Sequence, residues 1–302
     1  MDAAPAARAP RGAIALALAS VYLIWGSTYL AIDIAVDSLP PLGLGALRFL
    51  IAGVLLYAAV RPFAARPTAR QWGAATLVGG FLLAGGNGLV CVAEQRVPSG
   101  IAALIVATTP LWMALLTWST GGARPGWRES LGIVFGLIGV ALLGAGEGER
   151  IGLVGVLMVL GAALSWAIGS LWSRRLKHAP SPWLATAMQM LAGGALLAAL
   201  SLALEWPRIA AIEPTARSLW ALAYLIAFGS IVGFGSYVYL LRCASPVVAT
   251  SYAYVNPLVA VALGWLLNDE LVDRGIAIPA ALIIGAVLLI LTAPRPAASA
   301  AR

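Results

Sequence analysis

Residues 249–257 read ATSYAYVNP, inside a stretch from Pro246 to Leu267 that is otherwise almost wholly apolar. Two tyrosines, an asparagine and a proline are out of place in a plain lipid-facing helix. Pro257 has no backbone N–H to donate and its ring clashes one turn back, so the carbonyl of Ala253 loses its helical partner. In hydrocarbon an unpaired carbonyl is costly, so it must face protein or a wet cavity. The rest of the chain decides whether this stretch lies in hydrocarbon.

Composition places it there. Of the 302 residues 61% are hydrophobic and only 10% are charged, and the mean hydropathy is +0.93. A soluble domain is about 45–50% apolar and about 25% charged. The formal charge of +7 would suggest a nucleic-acid partner in a soluble protein. Here the basic residues lie in loops beside apolar segments, and no nucleic acid is expected. Cys91 and Cys243 lack CxxC spacing and read as small core hydrophobes.

A span needs about 20 mostly apolar residues. Ten segments qualify: 12–32, 42–60, 73–93, 99–119, 130–146, 152–172, 183–204, 219–241, 246–267 and 275–293. Short loops leave no room for a soluble domain. Residues Arg8 to Ser20 imitate a signal peptide, but the apolar run continues to Ala31, too long for its hydrophobic region. With the N-terminus inside, 13 of the 19 Lys and Arg fall in inside segments and 5 in outside loops, with Arg48 within a span. This bias puts both termini in the cytoplasm. The expected fold is an all-α integral membrane protein of ten helices. Cytoplasmic tails cover 1–11 and 294–302.

The chain is also written twice. Trp25, Pro41 and Arg48 lie over Trp166, Pro182 and Gln189 at an offset of 141. Gly86, Gly88, Ala102 and Pro110 lie over Gly233, Gly235, Ala249 and Pro257 at 147, and Gly139 lies over Gly285 at 146. The repeats are 12–146 and 152–293. Five spans per repeat make the second copy enter from the opposite side, the inverted arrangement typical of secondary transporters.

YLIWGSTYLAI (22–32), PP (40–41), RFLIAG (48–53), GNGLVCVAEQRVPSGIAALIVATTPL (86–111) and SPVVATSYAYVNPLVAV (245–261) together resemble the EamA-type branch of the drug/metabolite transporter superfamily. The resemblance runs from about Ser20 to Leu291. It implies ten helices in two inverted repeats, a central cavity and export of small metabolites across the inner membrane.

Pro257 and Pro110 are paired helix interruptions, the sequence pointer to a transporter's binding site and gate. At helical spacing Ala249, Tyr252 and Asn256 share a face, as do Trp25, Thr28 and Tyr29 on span 1. Trp166, Gly169 and Ser170 hold the equivalent places on span 6. Asn87, Cys91 and Glu94 fall on one side of span 3, and Ser230, Phe234 and Tyr237 on one side of span 8. These faces are expected to converge on a substrate pocket, with Gln189 opposite Arg48. For Arg48 three roles stay open: snorkelling outward, binding a substrate carboxylate, or bonding carbonyls or an acid such as Asp33 or Asp37. Glu94 and Asp33 are the carboxylates placed for proton coupling, though a solvated loop position suits both. The glycines of GGNG (85–88) suit close helix packing, and the Gly132/Gly136 and Gly229/Gly233 pairs suit internal packing or dimers alike.

No GxxxxGK loop, HExxH or Ser–His arrangement is present, and the single histidine, His178, lies in a basic loop. The expectation is therefore a non-enzyme without metal or cofactor. Its partners are a small-molecule substrate, membrane lipid and protons, and it is a monomer or homodimer. The favoured substrate is an amino acid or related neutral or zwitterionic solute. Broad efflux of amphipathic drugs is the alternative, and an intramembrane enzyme or channel the rival from another class.

Overall fold

The computed structural model describes residues 11–122, 124–146, 148–243, 248, 251–268 and 274–293. The N-terminal tail, residues 294–302 and Ala249 lie outside them. Among the described residues every regular element is helical.

The helices are α1 (Arg11–Val36), α2 (Pro41–Val60), α3 (Ala69–Gly79), α4 (Gly88–Ala93), α5 (Ser99–Val106), α6 (Thr109–Ser119), α7 (Trp127–Gly146), α8 (Gly148–Arg175), α9 (Pro182–Leu204), the short α10 (Trp206–Ala210), α11 (Ala216–Tyr224), α12 (Gly233–Cys243), α13 (Tyr252–Leu267) and α14 (Ala277–Leu291). Polar side chains cap three of them. Thr68 and Gln71 form a capping box on α3, Ser181 caps α9 and Thr215 caps α11. Gly152 turns the chain at the start of α8 with φ 67°, a left-handed geometry that favours glycine.

Seven helical stretches are long and apolar enough to cross a membrane: 12–36, 41–63, 69–93, 99–119, 152–175, 182–204 and 216–240. The helices over 255–267 and 277–290 are apolar but shorter. Leu16, Val54, Leu157, Leu200, Trp220 and Leu266 are exposed on the outside of the bundle. In water that belt would be a liability; in lipid it faces its own solvent.

Two π-helical segments, Gly80–Asn87 and Leu225–Val232, join α3 to α4 and α11 to α12. They occupy equivalent places in the two halves, and the sequence reading did not anticipate them. Such wide turns carry extra residues into a helix and shift the face of everything after them.

The halves pack reciprocally. Gly43 lies beside Ser201, Gly45 beside Leu197 and Gly53 beside Leu191, so α2 and α9 run antiparallel. A Cβ on Gly53 would sit 3.0 Å from Leu191 Cγ, and one on Gly194 would sit 3.0 Å from Leu50 Cγ. These are the same two positions in each half. A pair in which i meets j and j meets i has a two-fold axis, and between antiparallel helices it lies perpendicular to them. The tryptophans repeat the pattern. A Cβ on Gly233 would lie 2.5 Å from Trp25 Nε1, and one on Gly86 would lie 2.9 Å from Trp166 Cε3. Gly132, Gly136 and Gly139 of α7 meet Ile290, Ala286 and Ile283 of α14, and Gly229 meets Thr28 and Arg48. Both GxxxG pairs therefore serve packing inside the chain.

Candidate functional site

A cavity of about 790 Å³ lies between the halves. Trp25, Thr28, Tyr29 and Ile32 of α1 form one wall, spaced as one face of a 3.6-residue helix. Trp166 and Ser170 of α8 face them, with Phe234 and Tyr237 of α12 and Tyr252 and Asn256 of α13. Arg48 of α2, Gln189 of α9 and Asn87 complete the deep part. Pro110 and Pro257 border it as well. Gly169 does not; it packs on Phe81 and Leu82.

The aromatic residues form one cluster. The Trp25 ring lies 5.2 Å from Phe234, 5.1 Å from Tyr237 and 5.1 Å from Tyr252. Its Nε1 donates to the Gly229 carbonyl at 3.2 Å, a carbonyl inside the second π segment. The wide turn thus presents an acceptor to the tryptophan of the other half.

At Pro110 the helix breaks at Ala107–Thr108, and α6 begins with Pro110 in its first turn. There the ring has no earlier turn to clash with. The Val106 carbonyl, freed by this break, accepts from Thr109 Oγ1 at 2.6 Å, and Ile105 O accepts from Thr108 Oγ1 at 2.6 Å. Pro257 behaves differently: it sits inside α13, in its second turn.

Arg48 is 4% exposed, which removes the snorkelling role. Its Nε donates to Ser230 Oγ at 2.9 Å, and its guanidinium carbon lies 4.8 Å from the Phe49 ring centre. Nη1 is buried with no hydrogen-bond partner. Asn256 is 6% exposed and its Oδ1 is buried without a partner too. Arg48 lies within electrostatic reach of Glu94 and Cys91.

Two expectations need correction. Glu94 is buried rather than solvated. Neither it nor Cys91 borders the cavity, whereas Gly86, Asn87 and Val90 do. Asp33 is half-buried and accepts from Asn268 Nδ2 at 2.7 Å, while Asn268 Oδ1 accepts from Arg217 Nη2 at 2.7 Å. This tie joins α1, α11 and the end of α13, away from the cavity.

Glu205 was missed. It is buried beyond α9, accepting from Leu42 N and Gly43 N, each at 3.0 Å, and from Ser201 Oγ at 2.7 Å. A carboxylate on these orphan N–H groups stabilises the start of α2. A lone loop glutamate carries no sequence signal for this role.

The mouth lies among Arg124, Pro125, Glu129, Ser173, Arg174 and His178. Glu129 Oε2 accepts from Gly126 N at 2.8 Å. Among the described residues none from the turns at 37–40, 94–98 or 205–215 borders the cavity.

The comparisons agree with this architecture. The model of the EamA-like transporter family matches twice, over residues 11–145 and 153–292. The inner membrane transporter YedA of Escherichia coli, described as uncharacterised, is 41% identical over 276 residues, covering 91% of this chain and 89% of its own. A second Escherichia coli protein, named a probable amino-acid metabolite efflux pump, is 25% identical, covering 83% of this chain and 85% of its own. A solved crystal structure has the same fold, with a TM-score of 0.62 at 21% identity over 93% of this chain and 98% of its own.

Proposed function

The chain belongs to the EamA-like transporter family, and on that premise we propose that it exports a small metabolite by alternating access. The observation that carries this reading is the cavity, built between the halves from matched positions, with Arg124, Glu129, Arg174 and His178 at its mouth. The reading has ten spans in two inverted repeats, 12–146 and 152–293. The antiparallel, reciprocal packing of α2 and α9 supports the inversion. The Lys/Arg bias supports two cytoplasmic termini in the inner membrane. The mouth then faces the cytoplasm, and the conformation described is inward-facing.

The proposed substrate is an amino acid or related solute, a reading supported by the printed name of one relative. Aromatic walls would hold its apolar part and a few polar groups would orient it. Trp25, Thr28, Tyr29, Arg48, Asn87, Trp166, Gln189, Tyr237, Tyr252 and Asn256 are the proposed contacts, with the break before Pro110 and the proline inside α13, Pro257, as flexing points. Glu94, rather than Asp33, is the proposed proton-coupling group, because it reaches Arg48 electrostatically while Asp33 is tied to Asn268 away from the cavity.

Counterflow in proteoliposomes tests this. Vesicles preloaded with an amino acid, a sugar or an amphipathic cation are offered the same labelled solute. Transient accumulation of the amino acid is expected, with a pH-gradient dependence that disappears in Glu94→Gln. Accumulation of the cation alone would replace the metabolite with drug efflux. No accumulation by folded protein across a broad panel would overturn carriage.

A further inference from the structure

The two ends of the bundle are tied together unequally. The start of α9 adjoins the mouth, where Ala179 and Pro182 border the cavity. The end of α9 lies beside the start of α2, with Ser201 against Gly43. The end of α1 and the start of α11 therefore lie at the face remote from the mouth. Three side chains are linked there. Asn268 Nδ2 donates to Asp33 Oδ2 at 2.7 Å, and Asn268 Oδ1 accepts from Arg217 Nη2 at 2.7 Å. Asp33 belongs to the first half and the other two to the second, so the clasp crosses the seam between the halves. Beside it Thr215 N donates to Ser38 Oγ at 3.1 Å, and Ser218 Oγ donates to the Ile34 carbonyl at 2.9 Å.

The repeat supplies the matching positions at the mouth. At the offset of 141 Asp33 lies over Arg174, and at 147 Arg70 and Gly121 lie over Arg217 and Asn268. Helix ends keep this register: Thr68 caps α3 as Thr215 caps α11, and α6 ends at Ser119 as α13 ends at Leu267. One tie is common to both ends. Gln71 Nε2 donates to the His178 carbonyl at 3.4 Å, as its counterpart Ser218 donates to Ile34.

The clasp itself cannot form at the mouth. An acid and a base at the remote face become two arginines there, and like charges repel. Gly121 has no side chain to bridge them, and its φ of 83° is a left-handed geometry that suits glycine. The duplication has kept the helix caps at both ends and the clasp at one.

Alternating access requires the two ends to exchange roles. Contacts made in only one of two states bias the equilibrium towards it. We propose that Asp33, Asn268 and Arg217 form the latch of the outer gate. The latch is closed while the mouth is open, tilts the chain towards the inward-facing state, and must break before the cavity reaches the outer face. This inference rests on the chain working by alternating access, and it names the residues that hold one of its two gates.

The test reads opening of the outer face without a substrate. Ile32 borders the cavity next to the latch and is only 2% exposed, so a cysteine there is shielded while the latch holds. Ile32→Cys is expressed in intact cells and labelled from outside with a membrane-impermeant maleimide. The chain without this substitution gives the background from Cys91 and Cys243. Adding Asn268→Ala should raise the labelling rate about tenfold, the worth of a hydrogen bond to a charged group. Asn268→Asp, which sets two carboxylates against each other, should raise it at least as far. The exchange Asp33→Asn with Asn268→Asp restores an amide, a carboxylate and the arginine in sequence, and should return labelling to within about twofold of the start. Size-exclusion chromatography of each purified variant shows that it is folded.

Unchanged labelling in folded Asn268→Ala and Asn268→Asp would overturn the latch. A rise that the exchange does not reverse would assign the effect to loosened packing and overturn it as well. Counterflow by the unaltered chain is scored separately. If it succeeds while labelling stays unchanged, the latch alone falls; if it fails across a broad panel, the transport reading falls and takes the gate with it.

Discussion

Position 48 and position 189 occupy the same place in the two halves, yet one is a buried arginine and the other a neutral glutamine. Around them the backbone is close to symmetric. Gly53 meets Leu191 as Gly194 meets Leu50, and Trp25 meets Gly233 as Trp166 meets Gly86. The contrast teaches that repetition is spent on packing and asymmetry on chemistry. Two antiparallel helices approach closely only where both present small residues, so each half must keep its glycines. A single ligand has different ends, so the halves need not offer it the same group.

The largest expected effect tests the shared packing. A Cβ on Gly79 would strike the Gln189 carbonyl, and one on Gly193 would lie 2.7 Å from the Gly79 carbonyl. Backbone cannot swing aside as a side chain can. Gly79→Leu should abolish the monodisperse peak in size-exclusion chromatography. A normal peak would break the claim that α3 and α9 touch backbone to backbone.

Next comes the asymmetric pair. Arg48→Gln should lower transport efficiency about tenfold or more, the worth of one charge-assisted hydrogen bond. Gln189→Ala should cost about twofold, as for one partly compensated neutral bond. Equal losses in counterflow would show that the halves share the chemistry after all.

A matched glycine pair gives a smaller, sharper contrast. A Cβ on Gly139 would lie 2.8 Å from Ile283 Cγ1 and 3.0 Å from the Pro279 carbonyl. Its counterpart Gly285 has nothing within 4 Å. Gly139→Ala should destabilise by about 1–3 kcal/mol through overpacking. Thermal unfolding in detergent reads it out.

Glu205 is another break in symmetry, since α9 starts on the hydroxyl of Ser181 while α2 starts on a carboxylate. Glu205→Gln should cost about 1 kcal/mol of stability from the lost charge at the helix N-terminus. Smallest of all, Gly285→Ala should stay within about 0.5 kcal/mol of the parent.

Much of the wall was legible in advance because it follows from helical spacing. Trp25, Thr28 and Tyr29 share a face on any regular helix, and so do Tyr252 and Asn256. The structure brings both faces to one cavity. On span 3 the spacing places Asn87, Cys91 and Glu94 on one side, and the structure turns only part of that side to the cavity. Beyond the π segment the helix is regular from Gly88 to Ala93, and the cavity edge takes Val90, three residues from Asn87, and leaves out Cys91 and Glu94. The glycines of the π segment read as close packing, which Gly86 against Trp166 does show; nothing in their spacing announces a wider turn. The break at Pro110 was visible, but the hydroxyl that satisfies the Val106 carbonyl became clear only with the Thr109 geometry.

By itself the sequence determined the solvent and the all-helical class, and its spacing carries the repeat. Those follow from local quantities: apolar length against bilayer thickness, proline against the helical ladder, and glycine where close approach is needed. Only the tertiary structure decided that Glu205 caps a helix from another part of the chain, that Arg48 is buried on Ser230, and that its Nη1 and Asn256 Oδ1 are buried without a hydrogen-bond partner. The physical reason is that satisfaction of a polar group belongs to pairs of residues far apart in sequence. No residue's own identity states which partner it will meet, or that it will meet none.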